Sequence, residues 1–198
     1  MKHTFEYPRS RIDGRRASRW RLAAWGTAAL VLLLPLVAMQ FTDEVDWDAA
    51  DFALFGAMLA AIGGTYELAA KMTRSYAYRA AVGVALAAAF LLIWLSLGVG
   101  IIGKDGDPAN LMYFGVLAVG IIGAIIARFQ PLGMARALLA TALAQAIVTA
   151  IALIMGLGLP WSGPAEIAAL NGFFIALYAG SAWLFRRAAR ERPERDRR

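Results

Sequence analysis

Cysteine is absent from this 198-residue chain, and histidine occurs once, at His3. Thiolate chemistry and buried imidazole chemistry are therefore missing. Zinc held by Cys or His, Cys-ligated iron–sulfur clusters, His- or Cys-ligated haem, cysteine nucleophiles and Ser-His catalysis go with them. Charge is scarce too. Asp, Glu, Lys and Arg make up 17% of residues, against about 25% in a soluble domain. What fills the space is apolar: 60% of residues are hydrophobic and the mean hydropathy is +0.58. Long stretches carry no charge at all, whereas a soluble core would intersperse polar residues at helix or strand period.

The net charge of +6 and pI near 10.1 take their meaning from where the basic residues lie. Seven of the twenty Lys and Arg fall in residues 1–21 and seven more run from Arg186 to Arg198. Both clusters flank apolar segments, as juxtamembrane charge does, so a bilayer accounts for them and no nucleic acid is expected. Arginine outnumbers lysine 17 to 3, which points to a bacterial source.

Six apolar segments are long enough for helices that satisfy their own backbone in hydrocarbon, where about 20 residues cover roughly 30 Å. They are 22–40, 51–70, 79–102, 110–128, 134–158 and 165–185. The predicted fold is all-α, a polytopic helical bundle of six spans over 22–185, between a basic arm (1–21) and a basic tail (186–198). The first span follows Arg15, Arg16, Arg19 and Arg21 and exceeds the 7–15 residues typical of a cleaved signal, so it reads as an anchor. Asp48 with Asp51, Asp107 with Pro108, and Gly163 with Pro164 and Glu166 mark helix starts. Alternate sides then segregate charge. Nineteen of the twenty basic residues fall on the side of both termini, with only Lys104 opposite. Basic loops stay in the cytoplasm, so both termini are placed there, in the bacterial inner membrane. Trp20, Trp25, Tyr76, Tyr78, Trp183 and Phe185 would then form the inner aromatic belt, and Trp47, Tyr113 and Trp161 the outer one.

Polar residues inside the spans are the candidate site. Gly56, Ala60, Gly63 and Glu67 share one face of the second span, which places an ionisable carboxyl on a close-packing surface, with Lys71 one turn on. Thr141, Gln145 and Thr149 follow at four-residue spacing and form a polar stripe across the fifth span. Asn171 and Tyr178, seven apart, share a face of the sixth. The stripe reads either as the lining of a solute path or as interhelical hydrogen bonding, worth ~0.6–2 kcal/mol per contact. Packing is the preferred reading. Glycines in spans two, four and six (Gly56, Gly63, Gly64, Gly115, Gly120, Gly123, Gly172, Gly180) favour close helix approach.

The outer loop gathers Asp43, Glu44, Asp46, Asp48 and Asp51, oxygen ligands of the kind hard cations use, but without EF-hand spacing. Helix capping is the simpler reading, and no metal is assigned. Gly103-Lys104-Asp105-Gly106-Asp107 lacks the spacing of a phosphate loop. No cofactor, nucleophile–base pair or enzyme activity is expected. The expected partners are the lipid bilayer and a homodimer or larger membrane complex. The expected role is that of an accessory, scaffold or assembly subunit. The alternative is a small dimeric permease or ion-coupled carrier using Glu67 and the Thr141/Gln145/Thr149 stripe.

The absence of cysteine makes the topology directly testable. Asp46→Cys is expected to react with an impermeant maleimide in intact cells, and Arg74→Cys only after permeabilisation. Labelling of position 74 from outside overturns the arrangement.

Overall fold

The computed structural model describes residues 10–42 and 45–195, with side chains described over 22–42 and 45–191. Six α-helices occur, α1 (Ser10–Ala38), α2 (Ala49–Met72), α3 (Tyr76–Gly98), α4 (Met112–Ile126), α5 (Pro131–Ile154) and α6 (Pro164–Arg195), and no strand occurs among the described residues. A short 3-10 turn, Pro108–Leu111, leads into α4. Five helical segments are long and apolar enough to cross a membrane: Ala49–Met72, Tyr76–Gly98, Pro108–Ile126, Pro131–Ile154 and Pro164–Glu191. The apolar part of α1, Leu22–Ala38, is shorter. Five such helices are compatible with a multi-pass membrane protein. The backbone forms two compact units, Met1–Gly64 and Thr65–Arg198.

In the first unit, α1 meets the start of α2 on the glycine face anticipated from spacing. A Cβ on Gly63 would sit 3.1 Å from the Trp25 ring, and one on Gly56 would lie 3.7 Å from Leu32. Gly63 thus leaves room for an indole, the usual service of small residues between membrane helices. The start of α2 is closed by paired carboxylates. Asp48 Oδ1 accepts from the amides of Ala50 (2.7 Å) and Asp51 (3.0 Å), and Asp51 Oδ2 accepts from the Asp48 amide at 3.0 Å. This reciprocal cap satisfies amides that lack helical partners. The Trp47 ring meets Phe52 and Phe55 edge-on at 5.2 and 5.4 Å, which fixes the chain direction into the helix.

In the second unit, α3 starts at Tyr76 because the Ser75 hydroxyl accepts from the Tyr78 amide at 3.2 Å. Arg79 turns back to the end of α2, donating from Nη2 to Ala70 O (2.7 Å) and Thr73 O (2.9 Å) and from Nε to Thr73 O (3.1 Å). Those carbonyls have no helical donor, so a residue read as topogenic charge also serves as a C-terminal cap. The helix then stops at Gly98, short of the 102 expected. Residues 99–107 form a compact loop instead, with Gly100, Gly103 and Gly106 at positive φ. At Gly100 (φ 81°) a Cβ would overlap the Lys104 backbone at 2.3 Å, which only glycine avoids.

One buried side chain organises this loop. Asn110 Oδ1 accepts from the amides of Ile101 and Ile102 at 3.0 Å each, and its Nδ2 donates to Ile102 O (3.1 Å) and Lys104 O (3.2 Å). Ser162, in the connection before α6, donates to Gly103 O at 3.1 Å. Lys104 sits 6.0 Å from the Trp161 ring centroid. At the opposite end, α4 runs out at Ile126 and the chain must reach the extended Gln130 that Pro131 requires. It does so through Arg128 and Phe129 at φ 47° and 57°. Two consecutive non-glycine residues there cost roughly 1–3 kcal/mol each. The Tyr78 hydroxyl holds the pair by donating to Phe129 O at 2.8 Å.

Helices α3 to α6 form an arc in the spatial order α3, α6, α5, α4, and α3 meets α4 only lightly. Two cores fill it. One gathers Leu92, Ile101, Tyr113, Val116, Ile167 and Phe174 at the end of the loops just described. The other gathers Tyr78, Val82, Met134, Leu138 and Phe185 at the opposite end, with the Tyr78 and Phe185 rings edge-to-face at 5.0 Å. Close approach of α4 to α5 depends on glycine, since a Cβ on Gly123 would lie 2.7 Å from the Ala137 Cβ. Gly64, Gly115, Gly172 and Gly180 face open space instead, so half of the predicted small-residue set is not used for packing.

Asn110→Ala is expected to lower unfolding stability in detergent by ~2–4 kcal/mol, because two buried amides lose their acceptor. Asp107→Ala removes a single cap bond, to Ala109 N at 2.8 Å, and is expected to cost about 1 kcal/mol. Equal losses in the two variants would deny Asn110 this role.

Candidate functional site

The polar side chains of α5 and α6 converge on Asn171. Its Oδ1 accepts from Gln145 Nε2 at 2.7 Å and from the Tyr113 hydroxyl at 3.1 Å, and its Nδ2 donates to Ile167 O at 2.8 Å. Gln145 and Asn171 are 0% exposed and Tyr113 is 1% exposed, so one amide joins α4, α5 and α6 in a fully apolar setting. The remaining stripe residues turn to their own helix. Thr141 donates to Ala137 O (3.0 Å) and Thr149 to Gln145 O (2.8 Å). A further bond, from Ser181 to Ala81 O at 2.7 Å, ties α6 to α3.

Two buried polar atoms have no hydrogen-bond partner among the described residues: Gln145 Oε1 and the Tyr178 hydroxyl. Tyr178 and Thr141 both line a cavity of about 460 Å³ that opens along the seam between α3 and α4. Its walls include Val82, Ala85 and Ala89 of α3 and Leu117, Gly120 and Ala124 of α4. Thr65, Leu68 and Met72 of α2 and Phe129 of the α4–α5 turn also border it. No lining residue carries a charge.

Five of the six predicted positions separate into three groups. Gln145 and Asn171 meet directly; Thr141 and Tyr178 lie on the cavity wall; Thr149 bonds within α5. Glu67 is half-buried on α2 and is not among the lining residues, although Thr65 and Leu68 beside it are. Of the acidic loop, Asp48 and Asp51 commit carboxylate oxygens to capping α2, while Asp43 and Glu44 lie outside the described residues. No group of three or more His, Cys, Asp or Glu is placed to hold a metal ion among the described residues.

Tyr113 is the residue that spacing did not find. Assigned to the outer aromatic belt, it turns inward and is buried, as are Tyr78 and Phe185 from the inner belt. Trp161, Trp183 and Tyr76 remain exposed as belt residues would be. The one available signal was Asn110 three residues before Tyr113 at the start of a span, two polar groups on one helical face. Chemically the cluster is made of neutral amides and phenols. It can fix helix register, while the hydroxyls of Thr141 and Tyr178 stand on the cavity wall.

Asn171→Ala strands the Tyr113 hydroxyl and the Gln145 amide together and is expected to cost ~2 kcal/mol or more in detergent unfolding. Gln145→Leu also removes the unpartnered Oε1 and is expected to cost less, about 1 kcal/mol. The reverse order would show that Asn171 is not the hub.

Comparison with protein-family models, with curated proteins and with solved structures finds no match for this chain.

Proposed function

We propose that this chain is a six-span protein of the bacterial inner membrane, both termini cytoplasmic, that acts without catalysis as an accessory, scaffold or assembly subunit through its helix faces. The observation that carries this reading is the use made of the polar stripe. Gln145 bonds to Asn171 of α6 and Thr141 and Thr149 bond to their own backbone, which favours packing contacts over a solute lining. The surface left on α4 and α5 is apolar, with Ile121, Ile125, Ile126, Leu143, Ile147 and Ile154 all exposed. Leu22–Ala38 spans roughly 25 Å as a helix. It is completed as a first span by local bilayer thinning.

A carrier reading has one observation in its favour, the cavity that reaches Thr141 and Tyr178. Its apolar wall suits a solute path poorly, and Glu67 does not line it.

Photo-crosslinkers at Ile126 and Leu143 in native membranes are expected to give one discrete adduct, with a second copy or with a partner that copurifies at fixed stoichiometry. A monodisperse monomer without adducts overturns the scaffold reading. Proteoliposome flux that Glu67→Gln and Gln145→Leu reduce several-fold would replace it with the carrier.

A further inference from the structure

We propose that the seam between α3 and α4 is a binding site for one anionic glycerophospholipid, an acyl chain lying in the cavity and the phosphate resting on Lys71 and Arg128. The inference goes beyond a scaffold role and rests on the chain's residence in a bilayer.

Volume selects the occupant. About 460 Å³ lies within the usual range of small-ligand cavities, about 300–1,000 Å³. A flexible tail can follow an apolar seam of this size between α3 and α4. The wall agrees, since it is apolar and uncharged apart from the hydroxyls of Thr65, Thr141, Tyr78 and Tyr178. The Tyr178 hydroxyl on this wall is buried without a partner, and it packs in the core of the far end, away from the head.

Charge selects the head. The cavity lies toward the end of the arc where α2, α4 and α6 finish and α3 and α5 begin. Met72 and Phe129 border it there, and their chain neighbours Lys71 and Arg128 are exposed, as is Arg74. Arg79 is occupied by the α2 carbonyls and is not available to a phosphate. Glu67, one turn before Lys71, is the opposing charge on α2, and the cations outnumber it. The left-handed Arg128-Phe129 pair gives the arrangement its shape, because it keeps an aromatic wall residue and a cation adjacent at the mouth. The Tyr78 hydroxyl pins that turn from the opposite wall.

The test is native mass spectrometry of the full chain, extracted in mild detergent, delipidated and titrated with phosphatidylglycerol or phosphatidylcholine of identical acyl chains. One phosphatidylglycerol is expected to bind per chain, about thirtyfold more tightly than phosphatidylcholine, as two basic residues near an anionic head imply. Ala124→Phe fills the cavity and is expected to abolish binding of both lipids. Lys71→Gln with Arg128→Asn, the latter tolerant of the left-handed backbone, is expected to bring phosphatidylglycerol down to the phosphatidylcholine level. Should Ala124→Phe lose its cooperative unfolding transition, Ala89→Leu serves the same purpose. Equal binding of the two lipids, or binding unchanged in the filled variants, overturns the proposal. So does displacement of phosphatidylglycerol by equimolar inorganic phosphate, which would reveal an anion site without a tail. Alkali extraction of native membranes separates the premise from the site. Release of the chain refutes membrane residence, whereas retention without lipid selectivity refutes only the lipid site.

Discussion

In hydrocarbon, apolar side chains gain little by leaving lipid for one another, so something other than greasiness must determine which helix faces which. Asn171 supplies that discrimination. Its carboxamide oxygen takes hydrogen bonds from Gln145 on α5 and Tyr113 on α4 while its nitrogen stays on its own helix. A helical slip of one residue on any of the three would separate these groups by about 100° and leave them unpaired in a medium with no water to substitute. The close contact of α4 and α5 at Gly123 and the cores around Phe174 and Leu138 are then packed around a register already set.

The two ends of the α3–α6 unit are built on opposite plans. At one end the connecting loops are closed by their own polar groups. Asn110 gathers the 101–104 backbone, Ser162 reaches Gly103, and a Cβ on Gly158 would come within 3.1 Å of the Gly103 amide. At the other end α3 and α4 meet only lightly, and the Tyr78 hydroxyl reaches across to the turn that follows α4. A hydrogen-bonded closure at one end and an opening at the other follow from where hydrogen-bonding side chains were placed.

Much of this was legible in the sequence, but only the part that local physics decides. Helical class, the starts at Asp107-Pro108 and Pro164, the Asp48–Asp51 cap and the small face of α2 each depend on residues within a turn or two of one another. The stripe of Thr141, Gln145 and Thr149 was visible as spacing and Asn171 as a second polar position within a span; the fold brings Gln145 and Asn171 together. Tyr113, Arg79 and Asn110 were misread or passed over for a common reason. Each has a respectable local role, in a belt, as topogenic charge or in a turn, and each bonds to a backbone or side chain that only the folded chain brings near. The glycines divide in the same way. Gly63 and Gly123 admit a neighbour, Gly115 and Gly172 do not, and no spacing rule separates them.

The order of the arc also bears on how the protein is made. Helix α3 leaves the ribosome early, yet its main neighbour is α6, joined to it by a bond from Ser181 to Ala81 across a separation of 100 residues. At roughly 5–20 residues per second that interval lasts on the order of 5–20 s. During it the contact face of α3, including Ala81 and Leu92, which the finished fold buries, is bare. The final helix is therefore the closing piece of the assembly. A chain cut short after α5 would keep every earlier helix and still leave α3 without its main neighbour.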